Sequence, residues 1–304
     1  MKHNFKFTIF TPCYNGEHTI CRVFQSMEAQ TYTNFEWIII NDGSKDNSDI
    51  VIKGLIEVSP IKEKIVYLSQ HNQGKHIILN QAVDMAESDW FYIADCDDTI
   101  KPYTLEFFND KANLLIEDSP YNYAIGGGGK NCQYLKDSAF VAICANCYNP
   151  ETDEVIGDPF PDGLISDYIE EKIKLKLRGE HMGINRTDVL KQYKMPEVKG
   201  HFYTEARLWM ALAVDGYKQL YFNENLRAYY YTEGSLTNSS LASRLDPNRV
   251  YMYLCFTIWE ICHAGKKIYK ASPIAYFKLY IKCFKRIVEL IVSMFNQLCI
   301  KQKF

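Results

Sequence analysis

The chain has 304 residues, 47% apolar and 23% charged, an ordinary balance for a globular protein with room for one large domain or a domain plus an appendage. A net charge of -3 argues against nucleic acid as the partner. The 22 Tyr raise the aromatic share to 14%, which favours burial and stacking but selects no function.

Charge is unevenly placed. Between Lys266 and Phe304 there are eight Lys and one Arg against a single Glu, so a basic tail follows an acidic body. Such a tail suits an anionic surface. The 10 Cys are scattered, and the first residues carry no secretory pattern, so the thiols are expected reduced and the chain cytoplasmic. Cys144-Ala-Asn-Cys147 has no second pair at zinc spacing and reads as structural.

In chain order, Phe7 to Thr11 reads as a buried strand broken by Pro12-Cys-Tyr-Asn-Gly-Glu17. Thr19 to Gln30 has helical spacing in Ile20, Val23, Phe24 and Met27. Phe35 to Ile40 is a second strand, stopped at Asn41-Asp-Gly-Ser-Lys-Asp46, and Ser48 to Val58 a helix. Ile65 to Leu68 is a short strand, 71–75 a loop and His76 to Ala86 a helix. Trp90 to Ala94 is a fourth strand, and it ends in Asp95, Asp97 and Asp98. Alternating strands and helices imply a parallel sheet whose strand ends form one edge, where a nucleotide lies.

Three carboxylates within four residues repel one another unless a cation sits among them. Oxygen ligands at this spacing suit Mg or Mn. The plainer reading is an acidic turn.

Thr11-Pro-Cys-Tyr14-Asn15, Asn41-Asp42-Gly43-Ser44, Asn72-Gln73-Gly74-Lys75 with Asn80, and Asp95-Cys96-Asp97-Asp98 occur in that order. Together they resemble the family 2 glycosyltransferases of bacterial capsular and surface polysaccharide synthesis. The resemblance is close over the first hundred residues and weaker to about residue 237. It implies a GT-A fold, a Rossmann-like, mainly parallel sheet flanked by helices, over residues 1–237. The nucleotide half would be 1–100 and the acceptor half 101–237, with a C-terminal helical appendage at 238–304.

The resemblance also implies roles. Thr11, Pro12, Tyr14, Asn15 and Glu17 would border the nucleotide, with Tyr14 stacking on the base. Asp42 would accept a hydrogen bond from uracil, favouring a UDP-sugar. Gln73, Gly74, Lys75, Asn80, Asp95 and Cys96 complete that side, Lys75 meeting phosphate. Asp97 would hold Mn or Mg with Asp95, and Asp98, Glu180 and His181 would face sugar or acceptor. Family members commonly show Glu-Asp where this chain has Thr204-Glu205, which makes Glu205 the expected general base. A carboxylate at a helix start needs no chemistry, however.

Further expectations follow. Pro102 to Asp118 reads as a helix, and Tyr121 to Ala124 and Phe140 to Cys147 as strands. Gly126 to Gly129 fits no nucleotide motif. Pro150 to Gly163 reads as a loop or lid, Thr187 to Gln192 as a helix, and 202–214 as the helix of Glu205. Gly216 to Glu224, Arg227 to Tyr231 and Gly234 to Thr237 resemble the closing strand and loop. In the tail, Lys278, Lys282, Lys285, Arg286, Glu289, Ser293 and Asn296 form one stripe at helical spacing, and the longest uncharged run is too short to span a bilayer. That stripe is expected on anionic lipid, or else docked on the body or a second copy.

The function so implied is inverting transfer of a sugar from a nucleotide-sugar to a glycan or lipid-linked acceptor. The alternatives are a sugar nucleotidyltransferase, for which a glycine-rich phosphate loop is missing after the first strand, and a non-catalytic nucleotide- or glycan-binding protein.

Overall fold

The computed structural model describes residues 2–116, 139–198, 203–231 and 246–301. The strand expected at 121–124, the glycines at 126–129, Phe202, the loop at 234–237 and the side chain of Asn296 lie outside the described residues.

The first ninety residues build β1 (Phe7–Cys13), α1 (Ile20–Glu28), β2 (Phe35–Asp42), α2 (Ser48–Val58), β3 (Ile65–Gln70), α3 (Lys75–Met85) and β4 (Trp90–Ile93). β5 (Thr99–Ile100), α4 (Thr104–Ile116), β6 (Phe140–Tyr148), β7 (Leu164–Ser166), a π-helical segment (Glu170–Leu175), β8 (His181–Arg186) and α5 (Thr187–Leu190) follow. Then come α6 (Ala206–Val214) and β9 (Lys218–Ala228). The tail is α7 (Pro247–Trp259), a π-helical turn (Glu260–Ala264), α8 (Gly265–Ala271) and α9 (Pro273–Lys301).

The sheet runs β3-β2-β1-β4-β8-β6-β9-β5, with β7 added on β9. β1 to β4 pair in parallel, as alternating strands and helices require. β8 then runs antiparallel between β4 and β6, and β9 lies parallel to β6. The sheet is thus mainly parallel on the nucleotide side and mixed beyond β4.

The near-continuous apolar runs of β1 and β2 follow from burial on both faces. On β2, Trp37 and Ile39 enter one core with Ile20, Val23, Phe24 and Met27 of α1. Ile38 and Ile40 point the other way, into a second core with Ile78, Leu79 and Ala82 of α3. Cys144 and Cys147 are free thiols that join opposite cores, so they do not face one ion.

The strand ends are laced together by their turn residues. Ser44 Oγ accepts from the Asn15 N–H at 2.9 Å, and Asn15 Oδ1 accepts from Lys45 N–H at 2.8 Å. Glu17 accepts from Asn47 N–H at 2.9 Å, while Asp46 accepts from Glu17 N–H at 3.1 Å. Gly43 sits at φ 72°, and a Cβ there would come 2.5 Å from Asn72 N. Gly43→Ala is therefore expected to destabilise the fold by at least roughly 1–3 kcal/mol, read as a lower urea midpoint with unchanged slope.

The tail helices pack on the body. Asp246 caps α7 by accepting from Arg249 N–H at 2.9 Å, with Pro247 at the first helical position. Met252, Phe256, Ile268 and Leu279 share a core with Leu208 and Met210 of α6. Part of the polar stripe of α9 turns inward, against α7 and the π-helical turn, while Lys278 and Lys285 stay exposed: Lys282 pairs with Glu260 at 2.8 Å, Arg286 lies 4.9 Å from the Tyr253 ring, and Ser293 is buried. Glu260 draws Lys282 inward because a nearly buried carboxylate needs a cation.

Candidate active site

A cleft of about 1000 Å³ opens where β1, β2 and β4 end and where β8 and β9 begin to face them. Open sheets place their ligand site beyond such strand ends. Pro12, Tyr14, Asp42, Gly74 and Lys75 line one side, the acidic cluster the floor, and residues of β8, β9 and α6 the other side.

Tyr14 is 45% exposed at the mouth, free to offer a ring face. Asp42 is buried, and its two oxygens accept from Gln73 N–H at 2.9 Å and Gly74 N–H at 2.8 Å. This fixes the turn into α3 and so places Lys75, the first residue of that helix.

Lys75 is the centre of the floor. Its ammonium lies 2.6 Å from Asp95 Oδ1 and 2.9 Å from Glu205 Oε1. Burial works against its charge, but the two carboxylates outweigh it and raise the Lys75 pKa. Burial likewise opposes ionisation of Asp95, and Lys75 with Arg227 overcomes it and holds the carboxyl below its usual range.

Arg227, buried on β9, is the second cation. Its guanidinium lies 3.4 Å from Asp98 Oδ2, 4.0 Å from Asp95 Oδ2 and 3.9 Å from Glu180 Oε2. Burial pushes the Asp98 carboxyl up to about 7; Arg227 opposes this, and Asp95 and Asp97 add to it. Asp98 Oδ1 also accepts from Tyr230 N–H at 3.3 Å. Arg22 donates to the Asp97 carbonyl at 2.9 Å and fixes the backbone from which the Asp97 side chain projects.

Glu205 occupies the N-cap position of α6, and the Thr204 hydroxyl accepts from Ala206 N–H at 3.3 Å. The hydroxyl at 204 thus serves the helix start and leaves the Glu205 carboxylate to Lys75.

On the far wall, Glu171 is buried and gathers three side-chain partners. Lys172 lies at 2.7 Å, His181 Nδ1 at 3.2 Å, and the Tyr221 hydroxyl donates at 2.5 Å while standing 2.7 Å from Gln219 Oε1. Burial opposes its charge, and His181 leads the groups that keep its pKa low. His181 Nε2 is buried without a hydrogen-bond partner among the described residues.

Residues 8–113 match the family model Glycosyl transferase family 2. Those residues carry a family 2 glycosyltransferase domain. Among curated proteins it is similar to the glycosyltransferase GlyA of Streptococcus pneumoniae, 26% identical over 249 residues, which are 76% of this chain and 31% of that protein. The chain thus spans about a third of the length of that relative. Among solved structures, Staphylococcus aureus TarS 1-349 in complex with UDP-GlcNAc superposes with a TM-score of 0.61 at 17% identity, covering 85% of this chain and 67% of that one. The mannosyltransferase PcManGT of Pyrobaculum calidifontis, in complex with GDP-Man and Mn2+, gives 0.57 at 14%, covering 98% and 76%. At these identities the two structures establish the GT-A fold.

Pro12, Tyr14, Asp42, Gly74, Lys75, Asp95 to Asp98, Glu180, His181 and Glu205 all line the cleft. Five sequence-predicted residues do not, and each has a structural task instead. Thr11 accepts from Trp37 Nε1 at 2.9 Å inside the core. Asn15 and Glu17 lace the turns, and Asn80 is buried, holding Met195 through two bonds of 2.9 Å. Gln73 contributes its backbone N–H to Asp42.

Sequence reasoning missed Arg227, Glu171 and Tyr221 as site residues. A lone Arg amid the apolar end of β9 was the available signal for Arg227. Glu171 had none, since 170–176 reads Glu-Glu-Lys-Ile-Lys-Leu-Lys, like any charged surface segment.

No group of three or more His, Cys, Asp or Glu among the described residues forms a complete metal cage. The donor set still fits Mg or Mn, which take one or two carboxylates and complete their shell with water and substrate phosphate. Asp97 and the face of Asp95 away from Lys75 would be those carboxylates.

Proposed function

We propose that this chain transfers a sugar from a UDP-sugar to a hydroxyl of a glycan or lipid-linked acceptor in surface polymer synthesis, in one inverting displacement. The observation that carries the reading is Lys75, which holds Asp95 of the donor side and Glu205 of the acceptor side on a single ammonium. A lipid-linked acceptor would bring the chain to the inner face of the cell membrane; among the described residues no helix is long and apolar enough to cross it.

Tyr14 stacks on the base and Asp42 meets the uracil edge with the lone pairs its two backbone donors leave open. Asp97 and Asp95 would hold Mn or Mg, which would supply positive charge to offset that developing on the departing diphosphate. Glu205 takes the proton from the acceptor hydroxyl as that oxygen attacks the anomeric carbon. Lys75 positions Glu205 and adds positive charge beside the diphosphate. Lys75→Ala is expected to lower kcat/KM by roughly a hundredfold, since a displaced base costs on that order. Steady-state kinetics with donor held saturating and then varied would separate lost donor binding from lost alignment.

The experiment for the whole reading is a thermal-shift panel of UDP-, GDP-, dTDP- and CMP-sugars with and without Mn. A bound ligand raises the melting temperature by mass action. A metal-dependent shift with one UDP-sugar supports the assignment. A shift with none of them overturns it, and binding with neither hydrolysis nor transfer would make this a binding protein.

A further inference from the structure

The outer face of α9 is apolar. Phe277, Ile281 and Phe284 are 62%, 68% and 70% exposed, and Val288 and Ile291 continue the same row. These positions recur at intervals of three and four residues, so they form one stripe along the helix. A soluble surface seldom carries so long a contiguous apolar strip. The apolar side faces out because Lys282 and Arg286 of α9 are held inward by Glu260 and Tyr253, on the π-helical turn and α7.

The rim of the strip is basic. Lys278 and Lys285 are exposed along one side of α9, and Lys266 and Lys270 are exposed on the adjoining α8. After Glu260 the chain has one acid, Glu289, and Arg286 holds it at 2.7 Å. Tyr269 and Tyr280, about half exposed, have apolar rings with polar tips, the chemistry enriched where membrane meets water. A second copy would bring an identical basic rim against this one. An anionic lipid surface supplies both missing partners, acyl chains for the strip and headgroup phosphates for the lysines.

We propose that α9 lies flat on an anionic membrane, apolar strip inward and lysine rim at the headgroups. This extends the reading of the cleft to the surface where a lipid-linked acceptor stands, yet it rests on α8 and α9 alone.

The test is flotation of the full chain with vesicles of phosphatidylcholine, alone or mixed with phosphatidylglycerol. The chain is expected to float with the mixed vesicles and to be released by added salt. Ile281→Glu with Phe284→Glu abolishes flotation, and Lys278→Glu with Lys285→Glu weakens it by at least roughly fivefold for each lysine. All four positions are exposed, so the variants keep the fold, and the UDP-sugar thermal shift on each reports the cleft separately. Failure to float with mixed vesicles overturns the proposal, as does flotation that survives the Ile281→Glu, Phe284→Glu change. A dimer in light scattering that this double variant dissociates also overturns it, making a second copy the occupant.

Discussion

Glu205→Gln is expected to collapse transfer while leaving donor binding nearly intact. The amide keeps the size of the side chain and its carbonyl oxygen can still accept from Lys75, so the start of α6 is preserved. What is lost is the ability to take a proton, and a positioned general base contributes about 10²–10⁴ in rate. The measurements are single-turnover transfer with a chosen acceptor and the UDP-sugar thermal shift on the same preparation. Near wild-type turnover would remove Glu205 from the base role; loss of the thermal shift would make it a donor ligand instead.

Asp97→Ala is expected to abolish the metal-dependent part of the donor shift. Asp97 lines the floor, and Arg22 fixes its carbonyl, so truncation removes a carboxylate while the turn stays held. Stabilisation of a departing diphosphate by a bound cation is worth several kcal/mol, so a loss of about 3 kcal/mol corresponds to roughly a hundredfold in kcat/KM. Titration of Mn in the presence of UDP-sugar checks it. An unchanged midpoint would leave Asp97 as part of an acidic turn.

The nucleotide side was legible in the sequence because each of its units is local. A buried strand, a turn of Asn, Asp and Gly, and a helix with apolar residues at helical spacing specify one another within about thirty residues. The acceptor side is built from distant pairings. β8 meets β4 some ninety residues away and β9 meets β6 across a similar gap, and no periodicity records which strands will touch. The site divides the same way. Tyr14, Asp42 and Asp95 to Asp98 stand at ends of strands that announce themselves. Glu171 sits on a π-helical segment with no pattern to mark it, and Arg227 becomes a site residue only when β9 brings it to Asp98. For α9 the spacing gave two faces, and nothing in it said which would turn inward; Glu260, twenty-two residues before Lys282, decided that.

β9 is late in the chain and yet hydrogen-bonds with β5, β6 and β7. It also carries the guanidinium that faces Asp98. On the ribosome, β1 to β4 can assemble while β6 still presents an open strand edge, the geometry that invites pairing with other chains. At ordinary elongation rates the gap between β6 and the end of β9 lasts roughly ten seconds. A nascent chain in that interval holds a half-built sheet and an Asp98 that has not yet met Arg227. Synthesis halted before residue 227 would leave it there, a client for chaperones with its cleft unfinished.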